Sequence, residues 1–452
     1  VCGHRRCTPG TTFWAALAVL AVALSAASAE AAVFTAADVK GRTLDNGVRV
    51  IVREAHEAPI VALDVYIRFG SALETDETNG VAHTIEHLVF QGMEGSRVGR
   101  LPRLIEGLGG RVTAETSRDH THFAVALSPE GLEEAATQLA VAIRNPETDP
   151  TIVARERSII AHELAQQADN PVLQLQELSY RLGFTKHGYR LSPGGTRESL
   201  ANLSRADIQR AHDAYYTGPN TAVVVVGDVD VEEAFRVVSA AFGSFPATPP
   251  PPRPDTEEPR RMTRKVAPPV ERATSRHFLM LGFPAPGVAA AKDDVCPMDV
   301  LMAALGEGRA SRFQRRVVGE RKLADEMLTI YLTQRDPGAF YVWAVTPDGG
   351  SEAAVNAVLE EIADIRAKGL PADDLDRAKQ QILGSFAVQS ETYMDQAATL
   401  GFYESIGGYE FALEYEERVG AVTSADVQRV ASTYLDPELY TLVQVRPKAA
   451  AH

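Results

Sequence analysis

Two stretches of this 452-residue chain align without a gap: "LSRADIQRAHDAYY" at positions 203–216 and "VTSADVQRVASTYL" at 422–435. Each runs into a β-rich segment, "TAVVVVGDV" after the first and "YTLVQVRP" after the second. Ala, Asp, Gln, Arg and Tyr recur at matching places. A unit that ends twice in helix then strand points to a duplicated topology rather than to one large core. Between the copies lies "FPATPPPPRPDTEEPRR" at 245–261, whose prolines favour extended polyproline geometry and make a semi-rigid spacer. The predicted domains are therefore 34–245 and 262–447, joined by a Pro-rich linker at 246–261. With 45% hydrophobic residues, each part can bury a core of its own.

Within the first part, "RTLDNGVRVIV" reads as a hairpin around Asn46-Gly47, a pair favoured in type I′ turns. "VALDVYIRF" then alternates Val61, Leu63, Val65, Ile67 and Phe69 with Asp64, Tyr66 and Arg68, the period of a strand covered on one face. Helical patterns follow at 129–144, 150–168 and 204–216. The expected class is α+β, with an antiparallel-rich sheet covered by helices in each of two homologous domains.

The N-terminus differs from the rest. "HRR" at 4–6 precedes an apolar run from Phe13 to Leu24 and the small-residue site Ala27-Ser28-Ala29, which together predict a signal peptide over 1–29. The run is 12 residues, short of the roughly 20 needed to span a bilayer, so no stable membrane anchor is expected. An exported, periplasmic protein follows. Cleavage removes Cys2 and Cys7 and leaves Cys296 alone, so no internal disulfide is expected. The net charge of -15, without a long basic run, argues against nucleic acid as a partner.

The chemistry concentrates in "GVAHTIEHLVFQG" at 80–92. On a helix, His83 and His87 stand one turn apart on one face, close enough to share a cation. Glu86 falls beside them, suited to be a base acting on a water that the cation activates. A solvated helix face is the bland alternative, but Val81, Ala82, Ile85, Leu88, Val89 and Phe90 surround the trio, so the histidines sit on a mostly buried element. Catalytic zinc sites usually have three protein ligands. The best source of a third is "DPTIVARERSIIAHELAQQADNP", where Asp149 and Pro150 start a helix that Pro171 closes. Glu156 and Glu163 are seven apart on it and share a face; one can bind the cation while the other orients a ligand histidine. His162 is a rival by chemistry but points about 100° away from Glu163.

His83-x-x-Glu86-His87 followed by Glu163 in "ERSIIAHE" resembles the inverted-motif zinc metallopeptidases of the pitrilysin and insulinase type, including the mitochondrial processing peptidase. The resemblance extends through "GGRVTAETSRDHT", "HGYRLSPGGTRESL", "YYTGPNTAVVVVGDVD" and the second-half "LGEGRASRFQRRV". It implies that His83, His87 and Glu163 bind Zn2+, that Glu86 is the general base, and that Glu156 supports a ligand from behind. It also implies that a sheet-edge strand holding Thr113 and Ala114 binds the substrate backbone, where relatives carry Asn-Ala. A second departure lies in the other half. Many members place an Arg and, seven residues later, a Tyr facing the zinc site, and the matching positions here hold Val318 and Asp325. That departure implies a homologous partner subunit, or a second copy in a homodimer, completing the site, unless a tyrosine such as Tyr331 fills the role. The expected function is hydrolysis of peptides or unfolded polypeptide segments; the alternative is a catalytically inactive scaffolding or peptide-binding subunit.

Overall fold

The computed structural model describes residues 33–91, 100–254, 257–258, 263–347 and 349–448; the predicted signal peptide and part of the linker lie outside the described residues. Strands β1 (Val39–Thr43), β2 (Arg49–Glu54), β3 (Val61–Ile67), β4 (Arg111–Thr116), β5 (Thr121–Leu127) and β6 (Thr221–Gly227) form one sheet in the order β1-β2-β6-β3-β5-β4. A second sheet runs β10-β11-β9-β12-β7, from β7 (Lys265–Val266), β9 (His277–Pro284), β10 (Glu326–Tyr331), β11 (Ala339–Thr346) and β12 (Thr441–Pro447), with the short β8 (Val270–Arg272) also along β12.

The duplication is visible in this order. The antiparallel series β6-β3-β5-β4 returns as β12-β9-β11-β10, and the parallel neighbour of β6, β2, has its counterpart in β7 and β8 beside β12. The two aligned stretches are the helices Arg205–Tyr215 and Ser424–Tyr434 that lead into β6 and β12. Each starts on a capping box, Ser204 with Asp207 in one and Thr423 with Asp426 in the other, which gives the shared aspartate its physical reason.

Two local expectations are corrected. β3 is buried on both faces, not one, because the second-half helix Tyr393–Ile406 lies over β3 and β6. The Tyr66 hydroxyl donates to the Ala398 carbonyl of that helix at 3.1 Å. Period-two alternation marks a strand but cannot reveal what another part of the chain will cover. The hairpin loop is also not a two-residue type I′ turn. Leu44 N donates to Val48 O at 2.9 Å and Gly47 N to Leu44 O at 2.8 Å, a three-residue loop in which only Gly47 takes a positive φ, 89°. Asn46 instead uses its side chain, donating to the carbonyls of Phe242 and Phe245.

The sheet sorts its apolar residues by period two. Val50, Val52, Leu63, Val65, Val223 and Val225 face the core beneath the first-half helices. Ile51, Ala62, Val224 and Val226 face a second core shared with Leu281, Leu301 and Leu400 of the second half. Each such valine or leucine contributes about 1.5 to 3 kcal/mol by leaving water. No helix among the described residues is long and apolar enough to cross a membrane.

Candidate metal centre

Residues Val81–Gln91 form a helix whose start is set by a buried carboxylate. Glu74 Oε2 accepts from Gly80 N at 2.7 Å and Asn79 Nδ2 at 2.8 Å, and its Oε1 accepts from Ala82 N at 2.8 Å. Gly80 N and Ala82 N are backbone donors of the turn and first helical residues that the helix itself leaves unpaired, so Glu74 fixes where the helix begins. Burial pushes its carboxyl up to about 7 against the pull of those bonds. Val81, Ala82, Ile85, Leu88 and Val89 bury the other faces, leaving His83 and His87 turned to the helix Pro150–Ala168. That helix begins as expected, with Asp149 Oδ1 accepting from Thr151 N at 2.8 Å ahead of Pro150.

The two helices bring together three ligand-type atoms. His83 Nε2 and His87 Nε2 lie 3.2 Å apart, and Glu163 Oε2 lies 3.8 Å from the first and 3.6 Å from the second. Tetrahedral zinc with bonds of about 2.0–2.1 Å holds its ligands about 3.3 Å from one another, so this triangle fits such an ion. Two imidazole nitrogens facing each other at hydrogen-bond distance beside a carboxylate is the donor set of a cation site. Burial and the neighbouring His87 lower the His83 pKa to about 4, so its ring is neutral and has a lone pair to offer at neutral pH. His83 Nδ1 is buried without a hydrogen-bond partner among the described residues.

His87 is held from behind. Its Nδ1 is 3.2 Å from Glu156 Oε2, and Arg155 clamps the other oxygen of that carboxylate at 2.7 and 2.9 Å. Glu156 is 1% exposed. Burial works against a charge on His87, and the bond to Glu156 together with the charges of Glu163, Glu86 and Glu156 outweighs it, leaving the imidazole above its ordinary pKa. His162 stays out of the triangle and contacts Gln166 on the outer face.

Glu86 is buried beside the triad, and its Oε2 accepts a 2.6 Å hydrogen bond from the Thr116 hydroxyl of β4. Burial raises the Glu86 carboxyl and the Thr116 bond opposes that rise. Among the described residues β4, which holds Thr113 and Ala114, pairs with β5 on one side only and forms an edge of the first sheet. Val318 packs partly buried against the second-half core, and Asp325 lies at the surface 3.6 Å from Arg276. Tyr331 lines the same cavity as His83 and Glu86, with its hydroxyl donating to the Pro286 carbonyl at 2.9 Å. Sequence reasoning missed Glu74, Thr116 and Arg155. Arg155 was within reach as the neighbour of Glu156, whereas the Thr116–Glu86 bond depends on a sheet edge passing over a helix.

A duplicated α+β chain in which one copy presents a His-His-Glu triangle with a buried glutamate beside it has the architecture of the inverted-motif metallopeptidases. Residues 49–195 match Insulinase (Peptidase family M16), and residues 202–382 match the Peptidase M16 inactive domain, so the chain belongs to this family. Zinc protease PqqE of Helicobacter pylori is 25% identical over 410 residues, covering 90% of this chain and 92% of that protein. A probable mitochondrial-processing peptidase subunit beta of Arabidopsis thaliana is 24% identical, over 89% of this chain and 77% of its own length. The crystal structure of a protease from Helicobacter pylori shares the fold with a TM-score of 0.84 at 24% identity, covering 90% of this chain and 99% of that one.

Proposed function

We propose that this chain is an exported, periplasmic zinc metalloendopeptidase that hydrolyses peptides or unfolded polypeptide segments. The observation that carries this is the triangle of His83, His87 and Glu163 with Glu86 buried next to it at the wall of one cavity. A bound Zn2+ supplies Lewis-acid polarisation of the scissile carbonyl and acidifies a water. Glu86 takes the proton of the attacking water and returns it to the leaving amine, with the Thr116 hydroxyl holding one carboxylate oxygen so that the other is free to act. Glu156 fixes the tautomer and tilt of His87. The edge of β4 at Thr113 and Ala114 offers main-chain donors and acceptors to an extended substrate, a mode that does not depend on the Asn that relatives carry there. On this reading the units are 34–245, which bears the metal, and 262–447, which does not, joined by the linker 246–261. Because Val318 and Asp325 cannot stabilise a developing oxyanion, a homologous partner subunit supplies that charge.

The test is zinc content and peptide hydrolysis by the chain from Glu30 onward, alone and with a homologous partner, beside Glu86→Gln. Stoichiometric zinc is expected in both forms, with a rate loss of about 10²-fold or more in the variant. Activity that appears only with the partner establishes the shared site. No zinc and no cleavage in either setting would leave the inactive scaffold as the function.

A further inference from the structure

The cavity that His83 and Glu86 line has a volume of about 1300 Å³ and is walled in part by the second half of the chain. That wall is acidic and aromatic. Asp299, on the helix Val288–Gly306, is 6% exposed, and its Oδ2 accepts from the Tyr415 hydroxyl at 2.9 Å. Its Oδ1 has no partner among the described residues. Tyr403, 8% exposed, also lines the cavity, and its hydroxyl makes no hydrogen bond among the described residues. Glu307 reaches the same wall with Oε2 buried and unpartnered among the described residues, its Oε1 lying 3.3 Å from Ser385 Oγ.

No lysine or arginine of the second half lines this cavity among the described residues. Burial drives the Asp299 carboxyl up to about 7, and the neighbouring charge that acts on it, Glu307, pushes the same way. Two acidic groups and an unpaired phenol share this wall without a cation of the second half beside them, so Asp299 is driven towards its protonated form and a visiting cation would restore its charged one. Met302, Ile382 and Phe386 add apolar surface for a methylene stem, and the tyrosine rings add cation–π attraction.

We propose that this wall is a subsite for a lysine or arginine side chain of the peptide in the cleft, with Asp299 and Glu307 pairing its charge and Tyr403 accepting a hydrogen bond. The assignment rests on the peptidase reading for the source of the peptide. A neutral side chain would leave both carboxylates unpaired, so the subsite sets specificity.

The experiment uses the chain carrying Glu86→Gln and a set of fluorescent alanine-based peptides with lysine or norleucine at each position in turn, read by anisotropy. At one position lysine is expected to bind about tenfold or more tightly than norleucine, and Asp299→Asn to bring that ratio near one. A ratio near one in the parent, no binding of any peptide, or a ratio that survives Asp299→Asn overturns the proposal. Should Asp299→Asn fail to fold by circular dichroism, Glu307→Gln decides by the same ratio. Hydrolysis by the unmutated chain is scored separately. Selective lysine binding without cleavage of any peptide sinks the peptidase reading and keeps the subsite, and cleavage without a lysine preference does the reverse.

Discussion

Asp64 is a carboxylate in the middle of a strand buried on both faces, and it is tolerated because His122 on β5 answers it. His122 Nδ1 lies 3.0 and 3.1 Å from the two Asp64 oxygens, and the Tyr66 ring stacks on the imidazole at 4.7 Å. Burial alone would lower the His122 pKa, but the Asp64 charge and then Glu115 carry it up to about 10. The neighbouring His120, which that cation repels, is buried and pushed down to about 3. A folded-state pKa above the unfolded value of about 6.5 stabilises the fold fully below that pH and loses the contribution as pH rises through the folded value. The pair therefore stabilises at pH 6 and contributes progressively less towards pH 10, by at most about 1.4 kcal/mol per pH unit. Urea midpoints of the wild type and of a double variant, Asp64→Asn with His122→Gln, should converge between pH 7 and pH 10; a constant gap would mean that His122 does not titrate in this window.

At the level of single elements, the helix Tyr393–Ile406 and strand β3 depend on a position without a side chain. A Cβ at Gly401 would stand 2.2 Å from the Tyr66 ring. Only glycine lets the helix settle on the sheet at this distance, even though a helix interior disfavours glycine by about 0.5–1 kcal/mol relative to alanine. Gly401→Ala should cost about 1–3 kcal/mol through overpacking. Gly384, on the helix Ala372–Val388, has nothing within 4 Å of its would-be Cβ. Gly384→Ala should be neutral or stabilising by up to about 1 kcal/mol. Melting temperatures of the two variants give the comparison, and equal shifts would show that the Tyr66 contact does not limit the packing.

For the whole molecule, the two halves are locked far beyond the linker. The second-half helix covers β3 and β6, His120 Nδ1 meets Ser405 Oγ at 3.0 Å, Asp119 accepts from Arg335 N at 3.1 Å, and Tyr189 OH accepts from Asp336 N at 3.0 Å. One core contains Ile51 and Val224 together with Leu281 and Leu400. A protease site inserted after Pro254 and then cut should leave both pieces in one peak on gel filtration and melting in one transition, whereas separation on cutting would show that the linker, not the interface, holds them. Much of this architecture was legible from residues alone, since the HTIEH helix, the Asp149-Pro150 start and the repeated helix–strand ends are local patterns whose spacing follows helical and strand periods. His83, His87 and Glu163 were legible for the same reason, each being presented by the geometry of its own helix. What no local pattern carried were the contacts between distant segments: the Thr116 bond to Glu86, Glu74 beneath the motif helix, the burial of β3 on its second face, and the cavity that Asp299 shares with His83 and Glu86. Periodicity tells which face of an element is apolar, but which element meets that face is settled by packing the whole chain at once, and there the tertiary structure had the deciding word.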